Sequence, residues 1–173
     1  MREPKIKIMR LKKNQIVKVS GWDHAKFAKV INPDSYNGKV EVKFSHDGIG
    51  QLVAHDRITP AKVLSLSIKV KWLEMIKEGE KVEEYRAINK YYYSRIADIE
   101  WKEGHELLIL QSEFRPYDLI RFHVYGREYF GKKDHFFMWY GCDIGTVNPE
   151  WAPPETGKDE QFFRISIGEE VDL

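Results

Sequence analysis

The 173-residue chain has a single cysteine, Cys142, so no disulfide can form within it. A lone thiol fits a reducing compartment, and a cytoplasmic location is expected. No apolar run approaches the ~18 residues of a membrane-spanning helix, so no membrane partner is expected. The N-terminus, MREPKIKIMR, is basic but lacks the apolar stretch of a signal peptide. The complete Walker pattern, G-x-G-x-x-G and G-x-S-x-G are all missing, which argues against P-loop, dinucleotide and serine-hydrolase chemistry. So are H-E-x-x-H and paired Cys/His spacings, and no metal is expected. A cross-strand cluster of His123, His135 and Cys142 is the remaining metal candidate. No cofactor is expected, and no internal repeat or low-complexity segment is visible.

The chain does carry enough apolar residues for a packed core (42%) and enough charge for a solvated surface (32%). Its length suits one large domain or two small ones. Charge is unevenly spread. Residues 1–60 hold 12 Lys/Arg against 6 Asp/Glu, and residues 61–173 hold 16 against 21. A basic module beside a mildly acidic one points to nucleic-acid contact by the first, although the same charge also serves solubility.

From Gln15 to Pro60 the pattern alternates in short runs. Val17 and Val19 share a face apart from Ile16, and Ala25–Ile31 alternates through Phe27, Lys29 and Ile31. Asn37-Gly38 before Lys39–Phe44 signals a hairpin, with Val40, Val42 and Phe44 on the apolar side. Gln51–Ala54 follows, then a tight corner at His55-Asp56-Arg57, then Ile58-Thr59-Pro60. Five short strands in about 45 residues predict a small barrel. Residues 14–60 resemble SH3-like modules of the KOW and Tudor type. Trp22, Phe27, Tyr36 and Phe44 are candidates for an aromatic surface, with Phe27 and Phe44 expected in the core. Pro60-Ala61 marks the expected boundary, giving domains at 1–60 and 61–173.

A second kind of unit begins at Val63. Leu64, Leu66 and Ile68 make a buried strand. Trp72, Leu73, Met75 and Ile76 then fall on one face of a two-turn helix, and Gly79 supplies the left-handed residue that ends it. Lys81–Arg86 reads as a strand with Lys81, Glu83, Glu84 and Arg86 packed into six residues. Strand alternation places Glu84 and Arg86 on one face and Lys81 on the other unless a bulge intervenes. The charges make either a solvated edge strand or a cleft in which opposite charges hold each other ionised.

Farther on, Asn89 is positioned to cap a helix over Lys90–Ile96, on which Tyr91, Tyr92 and Tyr93 cannot all face one way. Residues 97–106 read as loop. Glu106–Leu110, Tyr117–Tyr125, His135–Asp143 and Gln161–Glu169 read as strands, with Arg121 on the face opposite Ile120, Phe122 and Val124. Residues 144–160 form a long Pro/Gly loop around Trp151, a length often tied to function.

The spacing Gly79-x-Lys81-x-x-Glu84-x-Arg86, preceded by Ser67-Ile68-Lys69 and a short helix, resembles the G-x-K-x-x-E-x-R signature of the ASCH domain. Tyr117–Gly126 is similar to that family's D-x-V-R-F strand, and Pro149-Glu150-Trp151 to a P-E-W turn of its bacterial and phage members. Phe162–Glu169 is similar to the closing strand. The resemblance spans residues 62–173 and implies a PUA-like β-barrel. The fold class expected is thus mainly β with short helices (α+β), an SH3-like barrel followed by a PUA-like ASCH barrel.

The resemblance also implies a site. Ser67, Lys69, Lys81, Glu84, Arg86, Arg121 and Trp151 are its candidate ligand-binding residues. The cations would hold phosphate, Glu84 would accept from an exocyclic amine, and Trp151 would stack on the ring. One enzymatic branch of the family deacetylates acetylcytidine with a lysine, a threonine three residues on, and a distant glutamate. Lys81 matches the lysine, but Glu84 stands at the threonine position. Another branch is described as a ribonuclease, for which Lys81 and Glu84 are the candidate catalytic pair. The expectation is an RNA- or nucleotide-binding protein, with DNA as an alternative partner. The competing expectations are an enzyme on RNA or a modified nucleoside, and a module that binds protein through residues 1–60.

Overall fold

Alternating apolar residues organise this chain into two antiparallel-rich sheets, and the fold is mainly β. The computed structural model describes residues 10–21, 26–45, 48–98, 114–126, 129–152, 156–157 and 159–173. Trp22, the Tyr36 side chain, the expected strand Glu106–Leu110 and residues 99–106 of the expected loop lie outside the described residues. The chain divides into two compact units, Met1–Ala61 with Asp172–Leu173, and Lys62–Val171.

The first unit is a single sheet of β1 (Ile16–Val19), β2 (Lys26–Asn32), β3 (Lys39–Lys43), β4 (Gln51–Ala54) and β5 (Ile58–Pro60). Its order is β4-β3-β2-β1-β5. Val17, Val19, Ala28, Val30, Val40, Val42, Val53 and Ile58 turn to one side and form the core, joined by Leu11. Asn37 (φ 56°) and Gly38 (φ 67°) both take the left-handed region before β3, which Asn-Gly tolerates better than other pairs. The corner at His55–Arg57 is one turn of 3₁₀ helix. Phe27 departs from expectation. Ala28 and Val30 hold the inward parity of β2, so Phe27 points to the other face and stays half-buried. Phe44 packs against the core from just past β3.

The second unit contains β6 (Val63–Lys69), α1 (Val70–Lys77), β7 (Glu83–Ala87), α2 (Lys90–Ile96), β8 (Leu119–Tyr125), β9 (Asp134–Gly145) and β10 (Phe162–Val171). The sheet order is β6-β8-β9-β10-β7, with β6 and β8 parallel and the other pairs antiparallel. Leu64, Leu66, Ile68, Ile120, Phe122, Phe137, Phe163 and Ile165 fill the core, with Leu73 and Ile76 from α1 and Tyr93 and Ile96 from α2. The Asn89 side chain accepts from the Tyr92 amide at 3.0 Å and caps α2. Of the three tyrosines on α2, Tyr93 is buried, Tyr92 half-buried and Tyr91 exposed.

The two outermost strands, β6 and β7, are joined by side chains. Arg86 of β7 donates Nη2 to the Ser67 carbonyl of β6 at 2.7 Å. Arg95 of α2 donates Nη2 to the Ser65 carbonyl at 2.6 Å. Guanidinium groups thus satisfy edge carbonyls that have no strand partner on that side. This seam is where the candidate site lies.

Candidate functional site

The site starts from how α1 ends. Gly79 takes φ 76°, and the amides of Glu80 and Lys81 both donate to the Met75 carbonyl, at 2.9 and 3.1 Å. This tight wrap brings Lys81 in beneath the helix before any strand begins. The strand expected over Lys81–Arg86 in fact starts at Glu83. Alternation therefore does not govern Lys81, and no bulge is needed to bring it to Glu84.

Lys81 is 2% exposed. Its Nζ donates to Glu84 Oε2 at 2.9 Å and to the Glu83 carbonyl. Three aromatic rings surround the ammonium, with centroids at 5.0 Å (Tyr85), 5.7 Å (Trp151) and 6.0 Å (Trp72). These distances fall within the range for cation–π attraction. Glu84 is also buried, and its second oxygen, Oε1, pairs with Arg86 Nη1 at 2.8 Å. Arg86 thus spreads its fork between Glu84 and the Ser67 carbonyl, and its guanidinium lies 5.6 Å from the Tyr92 ring centre. Burial lowers the Lys81 ammonium below its ordinary value of 10.5, while the Glu84 carboxylate beside it pulls the other way.

A second set of bonds fixes the aromatic wall. The Tyr85 hydroxyl donates to Glu83 Oε2 at 2.8 Å and accepts from the Asn148 amide at 3.3 Å. Burial, with help from Glu83, pushes this phenol up to about 12. The Asn148 side chain caps the 3₁₀ turn Pro149–Trp151, so Tyr85 ties the strand to the turn that carries Trp151. The rings of Tyr85 and Trp151 lie 6.4 Å apart.

The result is a cleft of about 200 Å³, smaller than the ~300–1,000 Å³ of sites for drug-sized ligands and suited to one ring-sized group. Of the expected site residues, Ser67, Lys69, Lys81, Glu84, Arg86 and Trp151 line it. Arg121 does not. It sits on β8 opposite Ser65 and Phe136, half-buried, with an Nε that has no hydrogen-bond partner. Sequence reasoning missed four lining residues, Ile68, Trp72, Tyr85 and Tyr125. Helical spacing groups Trp72 with the core, yet Leu73 and Ile76 alone turn fully inward and Trp72 looks into the cleft. The signal available for Tyr85 was its place between Glu84 and Arg86.

The metal candidate is dispersed. His123 Nδ1 pairs with Asp134 at 2.8 Å, His135 Nδ1 pairs with Glu170 at 2.8 Å, and Cys142 sits opposite Ile165. Among the described residues no cluster of His, Cys, Asp or Glu has the arrangement of a metal site. No family model matches the chain, and no curated protein or solved structure matches it either.

Proposed function

We propose that the chain binds RNA, with the cleft at Lys81 taking the base of one unpaired or terminal nucleotide. In this reading the first unit is an SH3-like barrel and the second a PUA-like ASCH barrel. The observation that carries it is the Lys81 ammonium, held by Glu84 between three aromatic rings in an open cleft. Aromatic walls give a base a face to stack on, worth ~1–3 kcal/mol per base. Lys69 at the cleft wall and Arg86 beside it supply cations for phosphate. Glu84 already has one oxygen on Lys81 and the other on Arg86. Its task is to hold those two cations, and the donors a ligand meets first are the exposed Lys69 and the partly exposed Arg86. Ring acceptors and phosphate oxygens fit that better than an exocyclic amine.

The second reading is an enzyme on RNA or on a modified nucleoside. The lowered pKa of Lys81 favours it, because a general base needs an amine that sheds its proton more readily. One experiment separates the two. The chain is titrated with labelled single-stranded RNA and, separately, incubated with acetylcytidine. Saturable binding without product, weakened about 5- to 150-fold by Lys81→Ala, is the expected result (~1–3 kcal/mol). Product that disappears with Lys81→Ala would replace the binding reading with the enzymatic one.

A further inference from the structure

The hairpin leaving the cleft carries an unexplained aromatic residue. Tyr125, the last residue of β8, lines the cleft and is 48% exposed. The next strand, β9, begins at Asp134, so residues 126–133 connect the two. Within that connection Phe130 is 94% exposed, more than any other large apolar side chain described. A single exposed aromatic residue needs no explanation by itself. Here its neighbours fix it outward. Tyr129 folds in, packing against the core with its hydroxyl 3.2 Å from His135 Nε2. Lys133 Nζ donates to the Tyr129 carbonyl at 2.5 Å and lies 5.0 Å from that ring's centre. The Val124 amide donates to the Lys133 carbonyl at 2.8 Å, closing the base of the turn. Tyr129 and Lys133 are thus tied down on either side of Phe130, which faces solvent beside Lys132 and Lys133, both exposed.

The segment Gly126–Lys132 has the spacing G-x-x-x-x-G-K, but Lys133 stands where a P-loop has Ser or Thr. It also joins two antiparallel strands, whereas a P-loop opens a helix. A triphosphate cradle is therefore not what this loop makes. An exposed aromatic face beside an exposed lysine is instead a combination that grips single-stranded nucleic acid, stacking for a base and Lys132 for the backbone. Five residues of chain reach at most about 18 Å, so Phe130 lies within a few nucleotides of Tyr125.

We infer that the β8–β9 hairpin tip is a second contact for single-stranded RNA, with Phe130 stacking on a base that follows the nucleotide held in the cleft. The inference rests on the cleft reading given above. Its test uses the full chain with a labelled mononucleotide and an eight-nucleotide single-stranded RNA. Phe130→Ala and Phe130→Leu should each weaken the octamer by about 5- to 150-fold, the range for one stacked base, and leave the mononucleotide unchanged. Phe130→Trp should keep octamer binding, since stacking and not bulk is what the site uses. Full exposure of the side chain means that none of the three should shift the unfolding midpoint.

Octamer affinity that is the same in all three variants overturns the inference, and if Lys81→Ala still weakens binding the cleft reading survives alone. A loss with Phe130→Ala but none with Lys81→Ala keeps the tip and removes the cleft. An octamer that binds no more tightly than the mononucleotide removes the tip as a second contact.

Discussion

Valine fills most of the first unit's core, where Val17, Val19, Val30, Val40, Val42 and Val53 meet across a curled sheet. The second unit builds on Phe122, Phe137, Phe163 and Tyr93. Small β-branched side chains close a sheet with little room for anything else. The second unit's larger core supports buried charge as well. Among the described residues the buried polar side chains are Lys81, Glu84 and His135, all in the second unit. Taking an ion out of water costs several kcal/mol. The first unit keeps its described lysines off the core side. The second buries a lysine and a glutamate against each other at the wall of a cleft.

The sharpest way to break this contrast is Arg86→Ala. It leaves Glu84 buried with one cation fewer, and a loss of ~3–5 kcal/mol is expected in urea unfolding of the second unit. Removing an exposed first-unit charge, as in Lys39→Ala, should stay within about 0.5 kcal/mol. A similar loss for both would make Arg86 an ordinary surface residue.

Lys81→Met comes next. It keeps the stem, drops the ammonium and leaves Arg86 to hold Glu84. RNA affinity should fall by ~1–3 kcal/mol, with a smaller change in stability than for Arg86→Ala. Unchanged affinity would remove Lys81 as a ligand contact.

For the first unit, neutralising Lys12, Lys13 and Lys18 should flatten the dependence of log K on log salt. The slope should drop by ~0.7 for each single-strand phosphate that these lysines no longer neutralise. An unaltered slope would take nucleic acid away from this unit and favour a peptide partner.

Alkaline pH gives the smallest effects, with opposite signs at neighbouring residues. The folded Lys81 value lies below 10.5, so the unfolded chain binds more protons between the two values. Stability should therefore rise with pH through that window. Tyr85 moves from 10.0 to about 12, so there the folded chain binds more protons and stability should fall as pH passes from 10 to 12. Tyr85→Phe should reduce that fall in urea midpoints. A fall of the same size in both proteins would deny Tyr85 a raised phenol value.

Much of this was legible in the chain. Strand positions in the first unit followed from parity, since Val17, Val19, Val40 and Val42 share a period of two and Asn37-Gly38 marks a turn. The α1 stop at Gly79 and the cap at Asn89 were readable because one residue type does each job. What failed was reach. Phe27 looked like core because it is apolar, but strand parity is set by Ala28 and Val30. Lys81 looked misplaced only because the strand was started two residues early. Trp72 and Tyr85 escaped because lining a cleft depends on which other elements arrive there, and the turn at Trp151 is more than sixty residues away. Arg121 was rightly placed off the core face of β8, but the cleft opens at the far end of that strand.

The seam between β6 and β7 has one more consequence. A free strand edge is a template on which another molecule can pair, and natural sheets block such edges with charge. Here the Ser65 and Ser67 carbonyls already accept from Arg95 and Arg86. A foreign strand approaching β6 would have to displace two guanidinium groups to dock. Removing both arginines should therefore leave a protein prone to self-association, its β6 edge open to the β7 or β6 edge of a neighbouring copy.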